Sequence, residues 1–149
     1  HALSATDPAT MVELALKRHG HIDALVNNDA YPALRAPLGE ARVEDYRDAL
    51  EVMAVAPFRL TQLVAPSMRK RKSGRIVFVS SAAPLRGIAN YAPYVSARAA
   101  ANGLVSSLAK ELGRDGITVN AVMLRRQHDN RTRRLHQLGM ADFHQRHRE

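Results

Sequence analysis

Tyr94 and Arg98 stand four residues apart in the run Tyr94-Val95-Ser96-Ala97-Arg98, and Ser81 precedes the tyrosine by thirteen residues. On a helix, residues at this separation share a face, so a guanidinium can sit beside a phenol. A phenol ionises near pH 10 and is a poor base at neutrality. A permanent cation about 5 Å away, at an effective dielectric of about 20, stabilises a phenolate by roughly 3 kcal/mol, or about two logarithmic units of acidity. Arginine does not release its own proton, so its part is electrostatic. A serine hydroxyl at a strand end, facing that phenol, would hold a substrate oxygen between them. Chemistry alone leaves a blander alternative open: Ser80 and Ser81 finish a strand, Tyr94 is packed, and Arg98 is a surface cation. Tyr91 is a competing phenol, but only Tyr94 has an arginine four residues on.

The hydrophobic pattern supplies a scaffold for these groups. Asp7-Pro8 reads as a helix start and Gly20 as its stop. Ile22 to Val26 reads as a buried strand that ends at Asn27-Asn28-Asp29, and residues 30–40 as a loop. A long helical pattern from Val43 to Met68 is interrupted by Pro57 and Pro66, which predicts a kink or a break. Ile76 to Val79 is an apolar strand ending at Ser80-Ser81. A helix is predicted from Tyr91 to Leu112, stopped by Gly113, and a third strand from Ile117 to Val122. Unalternating apolar strands between helices predict an α/β fold, a Rossmann-like parallel sheet with helices on both faces. Right-handed crossovers bring the carboxyl ends of the strands to one edge, where ligands bind. Asn28 and Ser81 fall at that edge. Three strands are few for such a fold and the chain opens on His1, so it reads as a fragment with its N-terminal strands missing.

The 149 residues carry a formal charge of +8. Residues 1–124 hold 15 basic and 11 acidic side chains, whereas residues 125–149 hold seven Arg, no Lys and three acids. Four of the seven histidines also lie in that last stretch, which has almost no apolar periodicity. The expected organisation is a partial Rossmann-like domain over residues 1–124 and a basic, disordered or non-native tail over 125–149. A nucleic-acid-binding module using that tail is a minor alternative. The cations at Arg69 to Lys72 are read as complementing a helix dipole. The absence of cysteine excludes disulfides, thiolate metal sites and a cysteine nucleophile. His144 and His147 have a possible metal spacing, but no third ligand beyond Asp142 is evident, so no metal is expected. No apolar run reaches ~18 residues, so no membrane span is expected and a cytoplasmic location is the default.

Asn27-Asn28-Asp29-Ala30, then Ser81, then Tyr94-x-x-x-Arg98, then Asp115-Gly116-Ile117-Thr118-Val119-Asn120-Ala121 resembles the short-chain dehydrogenase/reductase superfamily, over about residues 8–122. That resemblance implies a Rossmann-type sheet, a catalytic tyrosine at Tyr94, a serine at Ser81 that binds the substrate oxygen, and a homo-oligomer, dimer or tetramer. The small residues Ala97, Ala99, Ala100, Ala101 and Gly103 suit a subunit contact or ordinary sheet packing. The family's dehydrogenases carry Lys where this chain has Arg98, and a catalytic Asn in a Val-Asn-x-x-x-x-Phe context. Here that context runs from Val52 to Phe58 with Met53 at the Asn position.

Both departures resemble the halohydrin dehalogenases, a cofactor-free branch with a Ser-Tyr-Arg triad. Val43-Glu44-Asp45-Tyr46-Arg47, Pro57-Phe58 and Lys70-Arg71-Lys72-Ser73-Gly74 are similar to that branch as well. The resemblance implies Ser81, Tyr94 and Arg98 as the catalytic set, a vicinal haloalcohol or epoxide and a halide as ligands, and no cofactor. Asn28, Tyr31 and Pro32 are the candidates for the substrate and halide pocket. The alternative is an oxidoreductase using NAD or NADP in which Lys has become Arg. The chain holds no G-x-G-x-x-G, but that loop belongs to the first strand–turn–helix, expected ahead of residue 1. In the branch, the loop after the third strand carries a Pro-Asn. Here it reads Met123-Leu124-Arg125-Arg126, and poor activity is expected of this chain by itself.

Overall fold

β-Branched and other apolar residues dominate the two longer strands, and the three strands pair in chain order. A computed structural model describes residues 7–32 and 35–124. Its elements are α1 (Pro8–His19), β1 (Ala24–Asn27), α2 (Val43–Leu50), a π-helical turn (Glu51–Val55), α3 (Ala56–Arg71), β2 (Gly74–Ser81), a short 3-10 turn (Ala83–Leu85), α4 (Ala92–Gly113) and β3 (Ile117–Leu124). The three strands make one parallel sheet in the order β1-β2-β3, with Asn27 opposite Phe78 and Ser81 opposite Leu124. This is a Rossmann-like parallel sheet flanked by helices. The expected tail, residues 125–149, lies outside the described residues.

One core holds the layers together. Ile76 and Phe78 of β2 and Ile117 and Val119 of β3 pack against Val12 of α1, Val64, Ala65 and Met68 of α3, and Leu108 and Leu112 of α4. Alternation along β2 places Ile76, Phe78 and Ser80 in the interior, while Val77, Val79 and Ser81 on the opposite face are half-buried. With strand order following chain order, right-handed crossovers carry α2–α3 and α4 to the same face of the sheet.

Several boundaries differ from the sequence reading, each for a local reason. Pro8 starts α1 as expected, but the Asp7 side chain makes no capping hydrogen bond. The break foreseen at Pro57 takes the form of the π-turn at Glu51–Val55. Pro57 has no N–H to give and its ring crowds the preceding turn, so the helix widens and the Ala56 N–H reaches back to the Glu51 carbonyl. Pro66 is accommodated inside α3. α4 ends at Gly113, one residue beyond the expected Leu112, with Arg114 as its C-cap. The chain reverses at Gly116, which has φ +74° and lies so close to α3's end that an added Cβ would come within 2.2 Å of the Lys72 carbonyl oxygen. β3 continues through Met123 and Leu124, because the end of β2 offers them partners at Ser80 and Ser81.

An ion-pair network fastens this end of the sheet. Asp115 receives Arg69 Nε at 2.9 Å and Lys72 Nζ at 3.0 Å, and Arg69 also pairs with Glu111 at 2.9 Å. These hydrogen bonds, from Lys72 foremost, outweigh partial burial and hold the Asp115 carboxyl below the usual range.

Candidate functional site

The site is organised by one stripe of α4. Tyr94, Arg98 and Asn102 recur every four residues; Arg98 and Asn102 reach the carboxyl ends of β1 and β2, and Tyr94 packs beside Met53. Each makes a different attachment. Arg98 is buried, 8% exposed, and its guanidinium forks onto two main-chain carbonyls: Nη1 donates to Val79 O at 3.0 Å and Nη2 to Asp29 O at 2.8 Å. One bond reaches β2 and the other the segment after β1, so the cation clamps both strand ends to the helix. Its Cζ stands 5.5 Å from the centre of the Tyr94 ring. The expected proximity of guanidinium and phenol is therefore present, as a cation over an aromatic face.

Asn102 fixes the serine pair. Ser80 Oγ donates to Asn102 Oδ1 at 2.6 Å, and Asn102 Nδ2 donates to the Ser81 carbonyl at 3.5 Å. The Ser81 hydroxyl oxygen accepts the Ala83 N–H at 3.1 Å, which starts the 3-10 turn. With a lone pair used in that turn, the hydroxyl proton is left to be donated elsewhere. Ser81 is half-buried, and no hydrogen bond joins it to Tyr94.

Tyr94 rests on a small apolar cluster of Ala49, Met53 and Ala97, with Tyr31 at its margin. Met53 is fully buried in the π-turn and brings no polar group to this floor. Tyr31, Pro32, Asp45 and Tyr94 line one shallow cleft, and the Tyr31 hydroxyl donates to Asp45 Oδ1 at 3.4 Å. Desolvation, reinforced by the carboxylates of Asp45 and Asp48, holds the Tyr31 phenol above its ordinary range. Asn28 is exposed, just beyond β1, and is not among the residues lining that cleft.

Two features were missed by sequence reasoning. Asn27, the last residue of β1, is buried at 4% exposure, and neither its amide nitrogen nor its oxygen has a hydrogen-bond partner. Asp29 Oδ2 is likewise buried without a partner, as is Arg98 Nε. Desolvation raises the Asp29 carboxyl above the usual range, and the nearby Arg98 charge only partly offsets it. The available signal was strand alternation, which turns Asn27 inward and leaves Asn28 outside.

A family model described as short chain dehydrogenase matches residues 3–126. The chain belongs to the short-chain dehydrogenase family. Within this family it is 41% identical over 107 residues to a (2S)-[(R)-hydroxy(phenyl)methyl]succinyl-CoA dehydrogenase subunit of Thauera aromatica, covering 72% of this chain and 42% of the relative. It is 34% identical over 122 residues to the human dehydrogenase/reductase SDR family member 4, covering 82% and 44%. Among solved structures it superposes on one named a dehalogenation enzyme with a TM-score of 0.78 and 92% identity, over 81% of this chain and 50% of that one. A halohydrin dehalogenase bound to ethyl (2S)-oxiran-2-ylacetate gives a TM-score of 0.77 and 41% identity, over 80% and 48%. The short-chain dehydrogenase chain described here thus spans half the length of these relatives or less.

Proposed function

We propose that the protein to which this chain belongs is a halohydrin dehalogenase-like lyase, closing vicinal haloalcohols to epoxides and opening epoxides with small anions in reverse. The observation that carries the reading is Arg98: a buried guanidinium held over the face of Tyr94 and locked by two carbonyls. The likeness to structures named as a dehalogenation enzyme and a halohydrin dehalogenase supports it.

In this mechanism the Ser81 hydroxyl donates a hydrogen bond to the substrate oxygen and keeps its proton, and the Tyr94 phenolate takes the proton of the substrate hydroxyl. The alkoxide attacks the adjacent carbon from behind, the carbon–halogen bond breaks with its electron pair on the halide, and the epoxide closes. Nucleophile and leaving group share one molecule, so little association entropy is spent. Arg98 stabilises the phenolate that takes the proton, and the proton later returns to solvent. Tyr31 and Pro32, which line the cleft with Tyr94, are assigned to the substrate and halide side of the site, where the leaving anion needs preformed donors and apolar walls, whereas Asn28 lies outside that cleft. A dimer or tetramer is part of this proposal.

The nicotinamide reading has its own support, since sequence relatives are named dehydrogenases and reductases. The family's cofactor, NAD or NADP, would need a cation at position 98 free to reach a ribose. Here Arg98 is buried and each Nη donates to a protein carbonyl, which favours a structural and electrostatic part for this cation over a grip on a ribose. Cofactor independence therefore belongs to the proposal. The test is to incubate a full-length protein carrying these residues with a brominated or chlorinated vicinal alcohol. Halide release without nucleotide is expected. Tight NADPH binding with carbonyl reduction, and no halide release, would defeat the reading.

A further inference from the structure

Tyr91 has no part in the mechanism above, yet it is built into the site. It occupies the N-cap of α4, a position that favours Ser, Thr, Asp or Asn, and its side chain makes no capping bond. Its ring instead stacks on Tyr94, with centroids 4.7 Å apart and planes inclined by 23°. Each ring of the pair carries its own guanidinium: Arg35 Cζ lies 4.8 Å from the Tyr91 centroid and Arg98 Cζ lies 5.5 Å from that of Tyr94. Arg35 comes from the segment between β1 and α2. That segment is tied to the residue before Tyr91, where the Ala36 N–H donates to the Asn90 carbonyl at 3.0 Å. Asn90 adopts φ +61°, a left-handed conformation that Asn tolerates better than most residues.

We propose that Tyr91 is a positioning residue for Tyr94, and that Arg35 fixes Tyr91 so that the segment bearing Tyr31 and Pro32 and the aim of the Tyr94 phenol are set together. Tyr94 lies in the first turn of α4, where the backbone has fewest hydrogen bonds to hold it. On one side Met53 and Ala97 support its ring. The Tyr91 stack supplies a second support, so the phenol is confined to one orientation. A base that must meet a bound hydroxyl gains from such confinement, because a displacement of about 1 Å costs up to about a hundredfold in rate. The catalytic consequence rests on the dehalogenase reading; the confinement of Tyr94 does not.

Two measurements separate these parts. In the full-length protein, Tyr91→Ala is expected to lower kcat for halide release by about ten- to a hundredfold with KM changed by less than about threefold. Tyr91→Phe, which keeps the stack and loses only the hydroxyl, should restore most of kcat, and Arg35→Gln should fall between. A parental kcat in Tyr91→Ala, or an equal loss in Tyr91→Phe, overturns the proposal. Independently of any reaction, side-chain NMR couplings should report a single Tyr94 rotamer in the parent and in Tyr91→Phe, and rotamer averaging in Tyr91→Ala. An unchanged Tyr94 rotamer in Tyr91→Ala also overturns it. If the parent releases no halide, the dehalogenase reading fails alone and the rotamer result decides the positioning role.

Discussion

Replacing Arg98 by Met removes the charge while keeping a long side chain in the same space. The cation lies 5.5 Å from the Tyr94 ring centre. For a charge over the ring face, this places it about 6 Å from the phenol oxygen, where an effective dielectric of about 20 gives about 3 kcal/mol of stabilisation for a negative oxygen. If Tyr94 carries that charge when it removes the substrate's proton, the rate of halide release at pH 7 should fall by about a hundredfold. The substitution also takes two charged donors from the Val79 and Asp29 carbonyls, so a loss of stability is expected alongside. Arg98→Lys provides the control. It keeps the charge but not the fork, and its rate should fall by less than about tenfold. The assay is halide release by the full-length protein at pH 7, with urea unfolding measured on the same samples. A rate for Arg98→Met within about threefold of the parent at pH 7 would refute the reasoning. An equal loss in Arg98→Lys, which keeps the charge, would assign Arg98 a structural role alone.

Tyr94→Phe should abolish halide release, losing at least about a thousandfold, while the unfolding midpoint moves little because the ring and its stack remain. Gly116→Ala should destabilise the protein by about 2–4 kcal/mol in urea titration, since the new Cβ meets both a left-handed backbone and the Lys72 carbonyl; a midpoint equal to the parent's would contradict the close approach. Asp115→Asn should weaken the protein at neutral pH. The Asp115 carboxyl is held low, so its contribution is complete above the unfolded-state value and disappears as pH falls through the folded one. The gap between parent and variant should therefore close below about pH 4, and a gap that persists into acid would count against the ion-pair account.

Local patterns in the sequence revealed what local geometry determines. Tyr94 and Arg98 are neighbours because a helix makes residues four apart neighbours, and the α4 pattern was strong. β2 was legible from Ile76 to Val79 because its residues are apolar without interruption. The distant partners were not legible. Arg98 meets carbonyls 19 and 69 residues away, and no composition or periodicity names Val79 or Asp29 as its acceptors. The extension of β3 depended on the length of β2, a property of another segment. Pro57 announced a disruption, but whether a helix breaks, kinks or widens depends on what packs against it, here Ala49, Met53 and Ala97. The Tyr91 stack needed a neighbouring ring and an arginine from a remote loop, and neither relation leaves a periodic trace.

The stripe of Tyr94, Arg98 and Asn102 has a tuning consequence. Behind it, Ala97 and Ala101 are buried at 0% and 1% exposure, and Ala97 packs against Ala49 and Met53, so a single methyl group lets α4 approach α2 and the π-turn closely. Enlarging Ala97 would push the helix off those neighbours like a shim under a rail. Phenol, cation and amide ride on that one helix and would shift as one piece, making this alanine an adjustment screw for the candidate site.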